Sequence, residues 1–330
     1  MARILLTHSP EALENYYGAR ALAALQALGE VRTNPSSQPL AGSALIEAAR
    51  DCELIVSYRQ SPGEAAIFEA LPALVAFLRC AIDIRNVDVA AASKAGVLVT
   101  QASAGFVAAV AELVFGMMID LARGVTRAAG SYHAGELPDA QTGRQLDGST
   151  LGVIGYGAIG QRVAELGRTF GMRVLVTDPY AKAEAVGIEQ VAFERLLAQA
   201  DFVVPLAVAT AQTENLMNES ALARMKRGAF LVNVSRGNLV DEPALERALD
   251  SGHLAGAAID VGRDADQTPT PRVALRRNVI ATPHIGGLTM PSIEHQSIET
   301  VAQAAEILKG RAPKGAVNAD HWTRKALLKP

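Results

Sequence analysis

Leu151-Gly152-Val153-Ile154-Gly155-Tyr156-Gly157-Ala158-Ile159-Gly160, with Asp178 downstream, decides the fold of this chain. An apolar run of strand type stops at Gly155. A helical run from Ala158 to Phe170 follows and ends at Gly171, and a second apolar run, Met172 to Val176, leads into Thr177-Asp178-Pro179. Strand, glycine turn, helix, strand, acid is the order that seats a dinucleotide. In this reading Gly155 allows the tight turn, Gly157 lets the backbone approach a pyrophosphate, and Gly160 lets the helix pack close to the strand. The free N–H groups at the positive end of the helix, around Ala158 and Ile159, face the phosphates. Asp178, 18 residues beyond Gly160, is placed to accept hydrogen bonds from both ribose hydroxyls. Its charge would repel a 2′-phosphate, so NAD is expected rather than NADP. A glycine turn by itself is common; the flanking strands, the helix and the spaced acid give this one its weight.

Working outward, 330 residues should form two domains, and an apolar content of 49% provides a core for each. The net charge is −3 and no basic block or tail points to nucleic acid. The start, Met-Ala-Arg-Ile-Leu-Leu, reads as a short strand and not as a signal peptide. Phe106 to Leu121 is the most membrane-like stretch, but it contains Glu112 and Asp120 and is too short to span, so no membrane partner is expected. Cys52 and Cys80 are the only cysteines. Both lie beside apolar strands and read as inert core thiols, which fits a reducing cytoplasm. No His/Cys/carboxylate group has ligand spacing, so no metal is expected.

The first hundred residues alternate strand-like pieces (Arg3–Thr7, Glu53–Ser57, Leu74–Arg79, Val97–Thr100) with helix-like ones (Glu11–Leu28, Ser43–Arg50, Glu64–Ala70, Val89–Lys94). Such alternation implies a parallel sheet with helices on both faces. One long apolar helix, Ala104 to Arg127, should carry the chain into the next domain; His133 to Ser149 reads as loop. From Leu151 the rhythm resumes, with strands at Leu151–Ile154, Arg173–Val176, Phe202–Leu206, Phe230–Val234, Gly256–Asp260 and Val279–Ala281, a complete dinucleotide-binding sheet. The last helix, Pro291 to Leu308, comes after that sheet is complete and should return to the first domain. The expectation is an α/β chain of two doubly wound parallel-sheet domains with the cleft between them. Residues 1–101 with 288–330 would form a flavodoxin-like substrate-binding domain and residues 102–287 a Rossmann NAD-binding domain.

Three polar positions stand at the carboxyl ends of these strands, where open α/β sheets bind ligands. Arg236, in Val232-Asn233-Val234-Ser235-Arg236-Gly237, can grip an anion with its fork of donors; the plainer reading is a surface salt bridge. Asp260 closes Ala257-Ala258-Ile259 and can accept from a nicotinamide amide; the plainer reading is a loop cap. His284, between Pro283 and Ile285-Gly286-Gly287, can protonate a carbonyl oxygen, although a lone histidine is more often structural. The other five, His8, His133, His253, His295 and His321, have no comparable setting and read as surface or packing residues.

With these residues in place the chain resembles the D-isomer-specific 2-hydroxyacid dehydrogenase family over essentially its whole length. The resemblance is carried by GYGAIG at 155–160, VNVSRG at 232–237, AAIDV at 257–261 and TPHIGG at 282–287, in family order and spacing. It implies hydride transfer between NAD(H) and a small 2-oxo or D-2-hydroxy acid, in a homodimer. Arg236 would bind the substrate carboxylate, His284 would exchange a proton with the carbonyl oxygen, and Asp260 would orient the nicotinamide carboxamide. Val234, Gly286 and Gly287 would line the cofactor. Backbone N–H groups around Ile82 and Asp83 match the family's glycine-containing carboxylate loop, here Arg79-Cys80-Ala81-Ile82-Asp83-Ile84-Arg85 without the glycines. Arg59 and Arg85 are candidates for a second anionic group on the substrate, against the reading of solvated surface arginines.

Two further departures matter. The family normally has a Glu five residues beyond the acid matched by Asp260, paired with the histidine; here that position is Ala265. Asp266 is the expected replacement, holding the His284 imidazole through its carboxylate, with Asp264 and Gln267 as rivals. In the cofactor-lining stretch Asp201 to Ala211, Leu206 and Val208 stand where the family often has His and Pro. The competing reading is a non-catalytic NAD-sensing protein of corepressor type on the same fold. Retention of both Arg236 and His284 argues against it. A hydrolase is excluded because Ser235 is not in a GxSxG elbow.

Overall fold

A strand buried on both faces must be apolar throughout, because successive side chains point to opposite sides. That pattern builds two parallel sheets in the computed structural model, which describes residues 2–328. The chain divides into one unit of Met1–Gly105 with Leu288–Pro330 and a second of Phe106–Gly287, so the division falls at Gly105.

The first unit has five strands: β1 (Ala2–Leu6), β2 (Gly29–Thr33), β3 (Leu54–Ser57), β4 (Ala76–Arg79) and β5 (Leu98–Gln101). All pair in parallel in the order β2-β1-β3-β4-β5. Ile4, Leu6, Val56 and Leu78 fill one apolar layer; Leu5, Ile55 and Phe77 fill the other. The C-terminal segment is stitched into this unit. Helix Met290–Leu308 adds Ala304 and Ile307 to the first layer. Beyond it the Asn318 side chain accepts from Val99 N (2.7 Å) and donates to Val97 O (2.9 Å). The indole of Trp322 donates to Val75 O at 3.1 Å.

The second unit has seven strands: β6 (Thr150–Ile154), β7 (Arg173–Thr177), β8 (Ile188–Gln190), β9 (Phe202–Pro205), β10 (Phe230–Asn233), β11 (Gly256–Ile259) and β12 (Val279–Ala281). Their order is β12-β11-β10-β9-β6-β7-β8, again all parallel. Chain order reverses between β6 and β9, which makes the carboxyl ends of these two strands the topological switch point. Helix Val107–Arg123 covers one face with Val110, Val114, Phe115 and Met118.

Four local expectations are corrected. β2 and β8 are strands that the apolar pattern misses: each sits at a sheet edge, and their Glu30, Arg32, Glu189 and Gln190 are not in the core. The sheet of the second unit therefore has seven strands and not six. The run 11–28 is two helices, Pro10–Tyr16 and Ala19–Gln26, broken where Gly18 takes φ +89°. Helix Val107–Arg123 likewise stops at Gly124 (φ +66°), and a new helix, Val125–His133, begins there.

Candidate active site at the carboxyl edge of the second sheet

The glycine turn after β6 has the geometry a dinucleotide requires. Gly155 takes φ +99°, and a Cβ there would lie 2.7 Å from Ala207 N, so both conformation and space demand glycine. A Cβ on Gly160 would overlap the Gly155 carbonyl oxygen. Gly157 differs: no protein atom lies within 4 Å of where its Cβ would be, and its φ of −74° is ordinary. Its bare face opens to the space in front of helix Ala158–Thr169, whose first internal bond is Gln161 N to Gly157 O at 2.9 Å. The N–H groups of Ala158, Ile159 and Gly160 have no hydrogen-bond partner among the described residues and are available to phosphate oxygens. The residues therefore fit the pyrophosphate of a dinucleotide. A Gly157→Val variant should fold with stability within ~0.5 kcal/mol of the parent, because its Cβ meets no protein atom and the side chain starts into open space. Its KM for NADH should rise at least tenfold, since the side chain occupies the phosphate's space; thermal melting and an NADH titration check both.

Asp178 does more than the sequence suggests. Its Oδ2 accepts from Tyr156 N (2.7 Å) and its Oδ1 from Tyr180 N and Ala181 N (both 2.8 Å), so it ties the end of β7 to the glycine turn. Burial pushes this carboxyl upward, but the three backbone donors outweigh it and hold the group below the ordinary carboxylate range. Each carboxylate oxygen has two acceptor positions, so Oδ2 keeps one for a ribose hydroxyl.

Arg236, Asp260 and His284 follow β10, β11 and β12, three adjacent strands with Asn233, Ile259 and Ala281 in register. With neighbouring strands about 4.8 Å apart, Arg236 and His284 emerge on the same edge with one strand between them. Asn233 is buried and shapes the first of these loops: its Nδ2 donates to Arg236 O (3.0 Å) and its Oδ1 accepts from Ser235 N (3.2 Å). A Cβ on Gly237 would strike the Gly262 backbone, which fixes how closely the two loops approach. The Arg236 guanidinium donates to Ser235 O at 2.7 Å and remains half-buried.

Asp260 is fully buried, and its carboxylate is used by the loop after β12. Oδ1 accepts from Thr282 Oγ1 (2.6 Å) and Ile285 N (2.8 Å), and Oδ2 from Gly286 N (2.8 Å). A Cβ on Gly286 would sit 2.9 Å from Oδ2. These contacts seat the His284 loop, the plainer of the two readings of Asp260; the structure gives it no exposed surface for a carboxamide. Gly287 packs 3.3 Å from Phe106 Cβ by the same measure, and Val234 belongs to the apolar core.

The partner of His284 differs from the expected one. His284 Nδ1 lies 3.0 Å from the main-chain carbonyl oxygen of Asp266, and its ring contact is with that oxygen, not with the carboxylate. Asp266 has φ +57°, which turns its carbonyl toward the ring. Asp264 is occupied in capping Ala265 N at 2.7 Å.

In the first unit, residues 80–86 follow β4 at the carboxyl edge of that sheet. The N–H groups of Ala81, Ile82 and Ile84 have no hydrogen-bond partner among the described residues, which keeps the loop able to bind an anion despite its missing glycines. Asp83 takes the Arg85 guanidinium in a fork (2.5–3.0 Å) and accepts from Arg85 N at 3.0 Å, so Arg85 is committed to its own loop. Arg59 is half-buried, and Asn86 Nδ2 donates to its carbonyl oxygen at 3.0 Å. Arg79 is a residue that the sequence reading does not single out. It is fully buried at the end of β4, donates to Tyr58 O (2.5 Å) and Asn86 Oδ1 (2.6 Å), and so fixes the backbone that carries Arg59. Burial lowers its pKa to about 10. A charged residue closing the apolar run Phe77-Leu78 is the signal for it. Among the described residues no cluster of side chains could hold a metal ion, and no helix is long and apolar enough to cross a membrane.

Comparison with known proteins agrees with this geometry. Residues 115–286 match the profile of the D-isomer specific 2-hydroxyacid dehydrogenase, NAD binding domain. D-3-phosphoglycerate dehydrogenase 3, chloroplastic, of Arabidopsis thaliana is 40% identical over 73% of this chain and 42% of its own length. Glyoxylate reductase of Korarchaeum cryptofilum is 32% identical over 85% of this chain and 87% of its own. The crystal structure of the TT0316 protein from Thermus thermophilus superposes with a TM-score of 0.86 at 30% identity, covering 96% of this chain and 99% of that one. The chain spans between 39% and 60% of the length of the D-3-phosphoglycerate dehydrogenases it matches. The glycine turn, the loops after three adjacent strands and the match across residues 115–286 identify the chain as a member of the D-isomer specific 2-hydroxyacid dehydrogenase family, with the second unit its NAD-binding domain.

Proposed function

We propose that the protein transfers a hydride between NAD(H) and a small 2-oxo/D-2-hydroxy acid. The observation that carries the proposal is the placement of Arg236 and His284 on one edge of a sheet whose glycine turn is open to a dinucleotide. When bound, NADH supplies the hydride that reduces the carbonyl carbon. Arg236 holds the substrate carboxylate with two parallel donors, which sets the carbonyl at the reacting distance. His284 Nε2 gives its proton to the carbonyl oxygen during reduction and takes it back during oxidation, so the carbon gains the hydride and the oxygen gains the proton. In the first unit, the amides of Ala81, Ile82 and Ile84 are donors suited to an anion, and Arg59 is the candidate for an acidic or hydroxylated tail. The phosphoglycerate and glyoxylate relatives both act on small acids by their names, so the tail stays open to test.

The purified protein should oxidise NADH with at least one acid from a panel of glyoxylate, pyruvate, hydroxypyruvate and longer 2-oxo acids, and chiral analysis should give the D product. If NADH binds tightly but no acid in the panel is reduced, the non-catalytic NAD-sensing reading replaces this one. A homodimer is proposed from helix Val125–His133, no residue of which is buried, with its exposed Val125 and Tyr132 and the exposed Leu137 that follows it.

A further inference from the structure

The backbone carbonyls of residues 264–268 can be followed one by one. Asp264 O accepts from Gln267 N (3.0 Å), Ala265 O from Thr268 N (3.1 Å) and Thr268 Oγ1 (2.7 Å), Gln267 O from Gly262 N (2.8 Å), and Thr268 O from Asp264 N (3.2 Å). Each of these bonds closes the loop on itself. The carbonyl of Asp266 is the exception: it points out of the loop and meets His284 Nδ1 at 3.0 Å. Its direction comes from two consecutive left-handed residues, Asp266 (φ +57°) and Gln267 (φ +61°). His284 meets it from the other side, itself left-handed (φ +57°), with its N–H bonded to Asp260 O and Thr282 O, both at 2.9 Å. Three non-glycine residues in this region within one small contact mark a conformation that the surrounding bonds enforce.

We infer that in this chain the proton donor is oriented by the main-chain carbonyl of Asp266, a positioning residue through its backbone, and that the Asp266 carboxylate is not the partner of the imidazole. The inference rests on the redox reading of the site given above. A carbonyl oxygen only accepts, so Nδ1 must carry a hydrogen and Nε2 is the nitrogen that exchanges its proton. Nδ1 keeps that hydrogen whether the ring is neutral or charged, so one contact holds the ring through the whole cycle. A carboxylate at this place would change its attraction with each protonation of the ring; a neutral carbonyl does not. The acid at 266 then has a conformational reason: aspartate and asparagine enter the left-handed region more readily than other side-chain-bearing residues. Asp264, the nearest rival, is held by its own loop. The charged and titratable groups on the elements around the ring are Asp260, Arg263, Asp264 and Asp266 itself, with Arg236 on the neighbouring loop; Arg263 is engaged by Glu214 at 2.8 Å.

The test compares Asp266→Asn, Asp266→Gly and Asp266→Val. The first two keep the left-handed backbone and lose the charge; the third keeps neither. Asp266→Asn and Asp266→Gly should hold kcat/KM within about twofold and leave the pH–rate profile superimposable on the parent's. Asp266→Val should lose at least tenfold in kcat with KM for NADH unchanged. Nitrogen-15 spectra of the histidine-labelled full chain, assigned with His284→Gln, should show the Nδ1-protonated tautomer in both the parent and Asp266→Asn. A hundredfold loss or a displaced pH profile in Asp266→Asn would overturn the inference in favour of the carboxylate, and so would an Nε2-protonated ring in the parent. The spectra decide this point even if no 2-oxo acid is reduced, in which case it is the redox reading that fails.

Discussion

Asp260→Ala should lower kcat/KM by about a hundredfold and cost on the order of 3 kcal/mol of stability. The carboxylate is fully buried and takes three hydrogen bonds, from Thr282 Oγ1, Ile285 N and Gly286 N. Alanine leaves those donors facing a void, and each buried unsatisfied group costs ~1–3 kcal/mol, part of which the Thr282 hydroxyl recovers by rotating. The rate loss comes through geometry. His284 stands between Thr282 and Ile285, both bonded to Asp260, and its own N–H rests on the Asp260 carbonyl. A shift of about 1 Å in a catalytic group is enough for ~100-fold. Asp260→Asn should fall between parent and alanine, because one of its two polar atoms becomes a donor that faces another donor. Steady-state kinetics and differential scanning calorimetry read both effects. The split is diagnostic: a loop clamp lowers kcat with KM for NADH nearly unchanged. A raised KM for NADH with full kcat would mean instead that Asp260 serves the nicotinamide carboxamide.

The contrast between Asp260 and the glycine turn shows what the chain makes legible. Gly155, Gly157 and Gly160 take separate tasks in the sequence because each task depends only on what a missing Cβ permits, and the structure finds three different surroundings for them. Arg236 and His284 belong on one edge because apolar runs of parallel-strand type end a few residues before each, and parallel strands present all their carboxyl ends on one side. The partner of His284 is not legible in this way. Sequence offers side chains as candidates, and Asp264, Asp266 and Gln267 all qualify; a main-chain carbonyl exists at every position and becomes distinctive only when φ turns it out of its loop. β2 and β8 escape for a different reason: an edge strand with one neighbour keeps charged residues, so its pattern is not apolar. Arg79 escapes because a charge at the end of an apolar run is more often exposed, whereas here it is sealed in and its two terminal nitrogens donate to a backbone and an amide oxygen.

His8 should make the first unit acid-labile, and its removal should abolish about 2 kcal/mol of the stability lost between pH 6.5 and pH 5. The ring follows β1 and is buried with both nitrogens unpartnered, between Tyr17 and Tyr58 with centroids 5.0 Å from each. Burial, and next the positive charge of Arg79, lower its pKa from 6.5 to about 3. Among the described residues no carboxylate pairs with it to offset either effect. Above pH 6.5 the ring is neutral in both folded and unfolded chains and contributes no slope. Between 6.5 and about 3 the unfolded chain binds a proton that the folded one refuses. Stability must therefore fall with pH across that window, by ~1.4 kcal/mol per unit at full expression. Trp322, the chain's single tryptophan, is buried in this same unit and reports its unfolding by fluorescence. Urea titrations at pH 7.5 and pH 5 should show the midpoint dropping steeply in the parent and less in His8→Leu, whose side chain fits an apolar site of similar size and cannot charge. Equal midpoint shifts in the two proteins would show that the buried imidazole is protonated in place and that the acid sensitivity of the unit lies elsewhere.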